Sequence, residues 1–249
     1  MKILSGNAMN DPRAGRPDID GGESEVSLAS LEEPGQVEMT DPVELSVGGL
    51  KGHLFRRFIH LAMVVLPFGY YLYGEDITHF FSELLAREIS REQLVSVMIL
   101  IVIIGESIRL KLGVAIFGQR EYEARQVSAL AWGAIGIAIC VLVAPEAGKF
   151  GAAYGMPLIL CLVLGDPAIG EARRMGANPK TAFMVGTGVC LAIWLGSWYF
   201  LATPLWLAPL MAPLCTASEW PRLKYIDDNA TMLLIPLAAI VLLHPFTGL

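Results

Sequence analysis

Residues 162–174 read Leu-Val-Leu-Gly-Asp-Pro-Ala-Ile-Gly-Glu-Ala-Arg-Arg, an apolar run that stops at a Gly-Asp pair and gives way to an acid and two arginines. A carboxylate at the mouth of a membrane helix is costly unless it is solvated, paired or holding a cation. Pro167 disfavours helical dihedrals at Asp166, so the sequence predicts a helix that ends there with its carboxylate at the surface. Taken alone, Asp166 reads more readily as a solvated helix end than as a cation ligand. Other charged groups on the same side of the membrane favour the ligand.

Outward from this stretch, apolar segments recur at 54–73, 94–108, 127–145, 150–165, 181–202, 204–217 and 230–247. Several are shorter than the ~20 residues of a straight span, which bundled helices tolerate by local thinning of the bilayer. Pro204, Pro209 and Pro213 predict a kinked sixth segment. The chain is 54% hydrophobic and 17% charged, whereas soluble domains carry about 25% charged residues. The expected fold is an all-α, polytopic membrane bundle of about seven helices. Residues 1–50 hold ten acids against Lys2, Arg13 and Arg16, a composition that cannot bury enough apolar surface to fold. They read as a disordered acidic tail, with a transmembrane catalytic domain over 51–249. The first ten residues lack the apolar core of a secretory signal.

Seven spans place twelve of the fifteen Lys and Arg residues beyond position 50 on one side, with Arg87, Arg91 and Lys149 on the other. That bias assigns the richer side, and the N-terminus, to the cytoplasm, and the C-terminus to the opposite face. Residues 75–92 on the far side read as an acidic surface helix. Cys140, Cys161, Cys190 and Cys215 lie singly in apolar runs, as small buried hydrophobes do. Basic residues are too few and scattered for a nucleic-acid partner, and the sequence is silent on oligomeric state.

Four polar clusters fall on the cytoplasmic side. Arg56, Arg57 and His60 open the first span, with Arg57 and His60 on one helix face. Glu106 and Arg109, then Arg120 and Glu123, are i, i+3 pairs of the kind that neutralise charge near lipid, and read as structural or accessory ion pairs. Asp166 leads on to Glu171, Arg173, Arg174 and Lys180. Glu219, read like Glu171 as an accessory acid, precedes Asp227, Asp228 and Asn229, which suit a helix N-cap or a set of metal ligands. Carboxylates beside a basic ring are what phosphoryl transfer from a metal-bound nucleotide needs. Neither a P-loop nor a kinase glycine loop occurs, and Gly186-Thr187-Gly188 reads as helix-packing glycines.

In their order and common side, Arg57-x-x-His60, Glu106-x-x-Arg109, Arg120-x-x-Glu123, Gly165-Asp166 and Asp227-Asp228-Asn229 resemble the dolichol kinase and phytol kinase family over residues 51–249. These multi-pass enzymes use CTP to phosphorylate a lipid alcohol. The resemblance implies catalytic and Mg²⁺-binding roles for Asp166, Asp227 and Asp228, and a role for His60 in placing nucleotide or hydroxyl. It also implies nucleotide or phosphate contacts for Arg57, Gly165, Arg173, Arg174, Lys180 and Asn229. The sequence departs from the family pattern where Glu171 intrudes among small residues, and where Phe183 or Met184 stands in place of an expected glutamate. Transfer of CMP to a lipid phosphate needs the same groups. A transporter or non-catalytic membrane protein is the reading from another class. Both enzyme readings require the carboxyl of Asp166 to lie within about 12 Å of Asp227 and Asp228, the reach of a shared metal pair.

Overall fold

The computed structural model describes residues 46–221, 223 and 225–248. Among these residues the regular structure is helical, apart from one isolated antiparallel bridge between Ser46 and Arg120. The helices are α1 (Gly49–Ala62), α2 (Val65–Leu85), α3 (Arg91–Leu112), α4 (Ala129–Val143), α5 (Gly155–Leu160), α6 (Asp166–Arg174), α7 (Pro179–Leu201), α8 (Ala208–Ala217) and α9 (Asp228–Leu243). Four stretches, Arg91–Leu112, Gly155–Arg174, Pro179–Leu201 and Asp228–Phe246, are long and apolar enough to cross a membrane. Ala129–Val143 and Leu205–Ala217 are shorter apolar helices.

Local chemistry sets the helix ends. Ser90 and Gln93 form a capping box at the start of α3, and Gly113 closes that helix in the left-handed conformation. Ser128, Asn178 and Asp227 each accept a backbone N–H at the starts of α4, α7 and α9. Close helix approach follows from small residues. A Cβ on Gly186 of α7 would come within 2.4 Å of Ile169 on α6, and one on Gly136 of α4 within 3.0 Å of Leu233 on α9. Gly155–Arg174 is the central element, 61% buried, whereas α3 is 6% buried and turns a row of exposed isoleucines, valines and leucines outward. That surface suits lipid better than water. All four cysteines are buried free thiols, as small apolar residues would be.

Three expectations are corrected. The helix does not end at Asp166: residues Cys161–Gly165 form a π-turn that runs into α6, and Asp166 is helical at φ −57°, ψ −51°. Pro167 has no N–H for the carbonyl four residues back and its ring crowds that turn, and the wide π-turn relieves both problems within an otherwise buried helix. Residues 75–85 are not a separate surface helix but continue α2, while the first apolar segment is divided by a turn at Met63 and Val64. Of the acidic segment, residues 1–45 lie outside the described residues. Residues 46–50 join the fold, with Val47 N–H donating to Gln119 and Val47 C=O accepting from Gly118.

Candidate metal and phosphate site

Asp166, Glu219 and Asp228 come from three segments far apart in sequence, yet each offers a carboxylate oxygen within 4.8 Å of the others. The π-turn presents Asp166, the end of α8 delivers Glu219, and the first turn of α9 carries Asp228. The cluster grades from a buried floor at Glu219 to an exposed mouth at Asp228. Glu219 Oε1 accepts from Arg173 at 2.8 Å, whereas Oε2 is buried with no hydrogen-bond partner. Burial foremost, then Asp166 and Asp228, push the Glu219 carboxyl up to about 8 against the opposing pull of Arg173.

His60 stands beside the cluster, its Nε2 3.6 Å from Asp166 Oδ2 and 3.3 Å from the Leu162 carbonyl. Arg57 and Arg174 both bond Glu171, at 2.8 Å and 2.5 Å. Arg173 also lies over the Trp220 ring, 5.0 Å from its centre. Glu171 therefore pairs with two arginines, and a phosphate would have to compete with it for them. Lys180 is exposed on the first turn of α7, and its side chain has no hydrogen bond or ion pair among the described residues.

Other sequence candidates take structural positions. Asp227 lies outside the three-acid cluster and accepts from Asn229 N–H at 3.1 Å as the cap of α9. Burial and its neighbour Asp228 raise its carboxyl well above the usual range. Asn229 spends its amide on the Ala129 carbonyl at 3.2 Å, fastening α9 to α4. Gly165 is buried where a Cβ would meet Cys190 Sγ at 3.0 Å, a packing constraint that accounts for the glycine without a ligand.

The two i, i+3 pairs separate. Glu106 and Arg109 do pair, at 2.7 Å, and buried Arg109 also donates to the carbonyls of Val114, Glu123 and Gln126. That guanidinium winds the 113–128 loop onto the end of α3. Glu123 instead pairs with Arg56, 67 residues away, at 2.5 Å, while Arg120 donates to the Tyr122 hydroxyl at 2.6 Å. Sequence reasoning placed Glu219 among the accessory acids. Its only sequence signal is a lone glutamate closing a proline-rich apolar helix.

No protein-family model, curated protein or solved structure matches this chain.

Proposed function

We propose that this protein is a membrane-embedded kinase that transfers the γ-phosphoryl group of CTP to the hydroxyl of a lipid alcohol. The observation that carries the reading is the meeting of Asp166, Glu219 and Asp228 within 4.8 Å, beside His60 and an arginine set. Three carboxylates so close repel one another unless protons or a cation intervene. Hard oxygen donors suit Mg²⁺, and the partnerless buried Oε2 of Glu219 is a free ligand atom in that set. These three residues would hold the ion, which when bound would neutralise and orient the nucleotide phosphates.

The remaining residues act by position. Arg57, Arg173 and Arg174 supply donors around the acids, and guanidinium groups spread negative charge well at transferring phosphoryl groups. His60, at the junction of α1 with the π-turn, orients the attacking hydroxyl and accepts its hydrogen bond. The new bond joins the alcohol oxygen to the γ-phosphorus as the bond from that phosphorus to the bridging oxygen breaks, the bridging oxygen leaves with CDP, and the hydroxyl proton passes to His60. The support for CTP and a lipid alcohol is the ordered set of motifs from Arg57 to Asn229.

The membrane topology belongs to the same proposal. Seven crossings, with α1 and α2 as the first, put the acidic cluster at the cytoplasmic face and the C-terminus opposite. Contacts at the two ends of the bundle support this alternation. Arg56–Glu123, Arg57–Glu171 and Arg173–Glu219 join one end, and Arg91–Glu146 and Tyr154–Thr247 join the other.

The test is incubation of membranes containing the protein with CTP labelled at the γ or the α phosphorus, followed by lipid extraction. Label reaching lipid from the γ position alone is the expected result, abolished in Asp166→Asn. Label from the α position indicates cytidylyl transfer instead, and no label in lipid from either position contradicts the enzyme reading.

A further inference from the structure

The sequence scatters the cysteines singly, but the fold collects three of them. Cys161 opens the π-turn, Cys190 lies midway along α7, and Cys215 is near the end of α8, each fully buried. The Cys161 thiol is in hydrogen-bonding contact with the thiols of Cys190 and Cys215, and its sulfur is 4.0 Å from the Cys190 carbonyl oxygen. Gly165, at the other end of the π-turn, packs so closely on Cys190 that a Cβ there would come within 3.0 Å of the sulfur. Cys140 on α4 turns instead to the Gly155 carbonyl, at 3.9 Å.

Cys190 is the sulfur with a polar setting. The Thr216 hydroxyl shares its hydrogen between Cys190 Sγ at 3.8 Å and the Ala212 carbonyl at 3.1 Å, and the Cys161 thiol is the second donor. Donors aimed at a sulfur stabilise the negative charge that develops on it as it attacks. Packing alone asks for no such donors, since an alanine would fill the core without them. A soft metal ion would require charged thiolates in this apolar core, whereas a disulfide leaves no charge behind. Full burial also restricts the oxidant to one that is small and uncharged.

We infer that Cys161 and Cys190 form a modification site, a thiol pair that hydrogen peroxide closes into a disulfide. The Cys190 sulfur attacks one peroxide oxygen, the O–O bond breaks, and the other oxygen leaves as water with the Cys190 proton, which yields a sulfenic acid. The Cys161 sulfur then attacks that sulfur, the S–O bond breaks, and a second water carries off the Cys161 proton. Each thiol gives up one electron, and the peroxide takes both. Bonding draws the two sulfurs in from van der Waals contact. The start of the π-turn moves toward α7, and Asp166, which follows the turn directly, shifts against Glu219 and Asp228. That consequence rests on the cation-centre reading, but the bond itself is measurable without an ion.

The experiment treats the reduced, purified full chain in nanodiscs with hydrogen peroxide, alkylates the remaining thiols after denaturation, and maps linked peptides by mass spectrometry. A Cys161–Cys190 link is expected in the wild type and in Cys140→Ala, and is absent from Cys161→Ala and Cys190→Ala. Oxidised glutathione, large and charged, leaves the pair reduced in the folded protein. After removal of the peroxide, the oxidised wild type should bind Mn²⁺ at least about tenfold more weakly than the reduced protein, the scale on which disturbing the support of a ligand lowers metal affinity. Peroxide-treated Cys190→Ala keeps its affinity, which separates the disulfide from oxidation of methionine. A folded wild type that forms no Cys161–Cys190 link, or that links Cys140 or Cys215 in its place, overturns the inference. A link that leaves Mn²⁺ affinity unchanged overturns the coupling to Asp166. If the reduced wild type binds no Mn²⁺ yet the link forms, the thiol pair stands and the cation centre falls.

Discussion

Helix α3 carries an arginine near each end, and the two live in different worlds. Arg91, at its start, meets Glu146 at 3.2 Å in a largely exposed pair and lies over the Tyr70 ring. Arg109, one turn from its end, is buried with Glu106 and three backbone carbonyls. The same contrast runs through the bundle. On the Arg91 side, polar contacts join single partners such as Tyr154 with Thr247 and Thr203 with the Ala153 carbonyl, and buried neutral atoms without a partner occur at Thr187, Trp194 and His244 elsewhere in the bundle. On the Arg109 side, Glu123 and Glu219 each pair with one arginine and keep the other carboxylate oxygen buried and unsatisfied. Surplus buried acceptors cost stability unless something supplies donors or charge. Among the described residues the buried carboxylate oxygens without a partner lie at this end, where the proposed cation would sit.

The largest effect expected from breaking this contrast is structural. Arg109→Ala strands Glu106 and frees the 113–128 loop, which should destabilise the protein by about 3–5 kcal/mol, as removing one partner of a buried pair does. Thermal unfolding in detergent checks it. Next comes activity. Asp166→Asn and Asp228→Asn should lower γ-phosphoryl transfer by about 10²–10³-fold, comparable to deleting a preorganised charge-stabilising group, in the labelled-CTP assay.

Glu219 sharpens the comparison through pH. With its carboxyl raised to about 8, the folded protein holds a proton there that the unfolded chain has already released at neutral pH. The resulting stability is full below the ordinary carboxylate range and is lost as pH rises through about 8. A divalent ion must displace that proton, so its apparent affinity should rise with pH by up to about tenfold per unit and level off above 8. Glu219→Gln should weaken binding and reduce the slope in a Mn²⁺ titration from pH 6 to 9. The smallest effect belongs to the other end of α3. Arg91→Ala should cost about 0–1 kcal/mol, as exposed pairs do, and leave transfer unchanged.

Much of the scaffold was legible because long apolar helices leave a simple trace. The apolar runs at 94–108, 181–202 and 230–247 lie within or against α3, α7 and α9, whose ends carry conventional caps. The meeting of Asp166 with Asp228 was legible as well, since each stands at the polar edge of an apolar run. Partner choice was not. Glu123 prefers Arg56 to its neighbour in sequence because α1 packs under the loop, and Asn229 turns to Ala129 because α9 crosses α4 closely at Gly136. Pro167 gave a misleading signal at Asp166: packing keeps that residue helical and a π-turn absorbs the misfit. Glu219 reaches the cluster only because Arg173 and the end of α8 hold it there, which no local pattern announces.

The central claim is that three distant acids form one divalent-cation centre. A Mn²⁺ titration of the purified protein, followed by electron paramagnetic resonance of the free ion, tests it most directly. Saturable binding by the wild type and by Arg91→Ala, weakened at least about tenfold in both Asp166→Asn and Asp228→Asn, is the expected result for first ligands to the ion. Binding that is absent in the wild type, or equal in all four proteins, would contradict it.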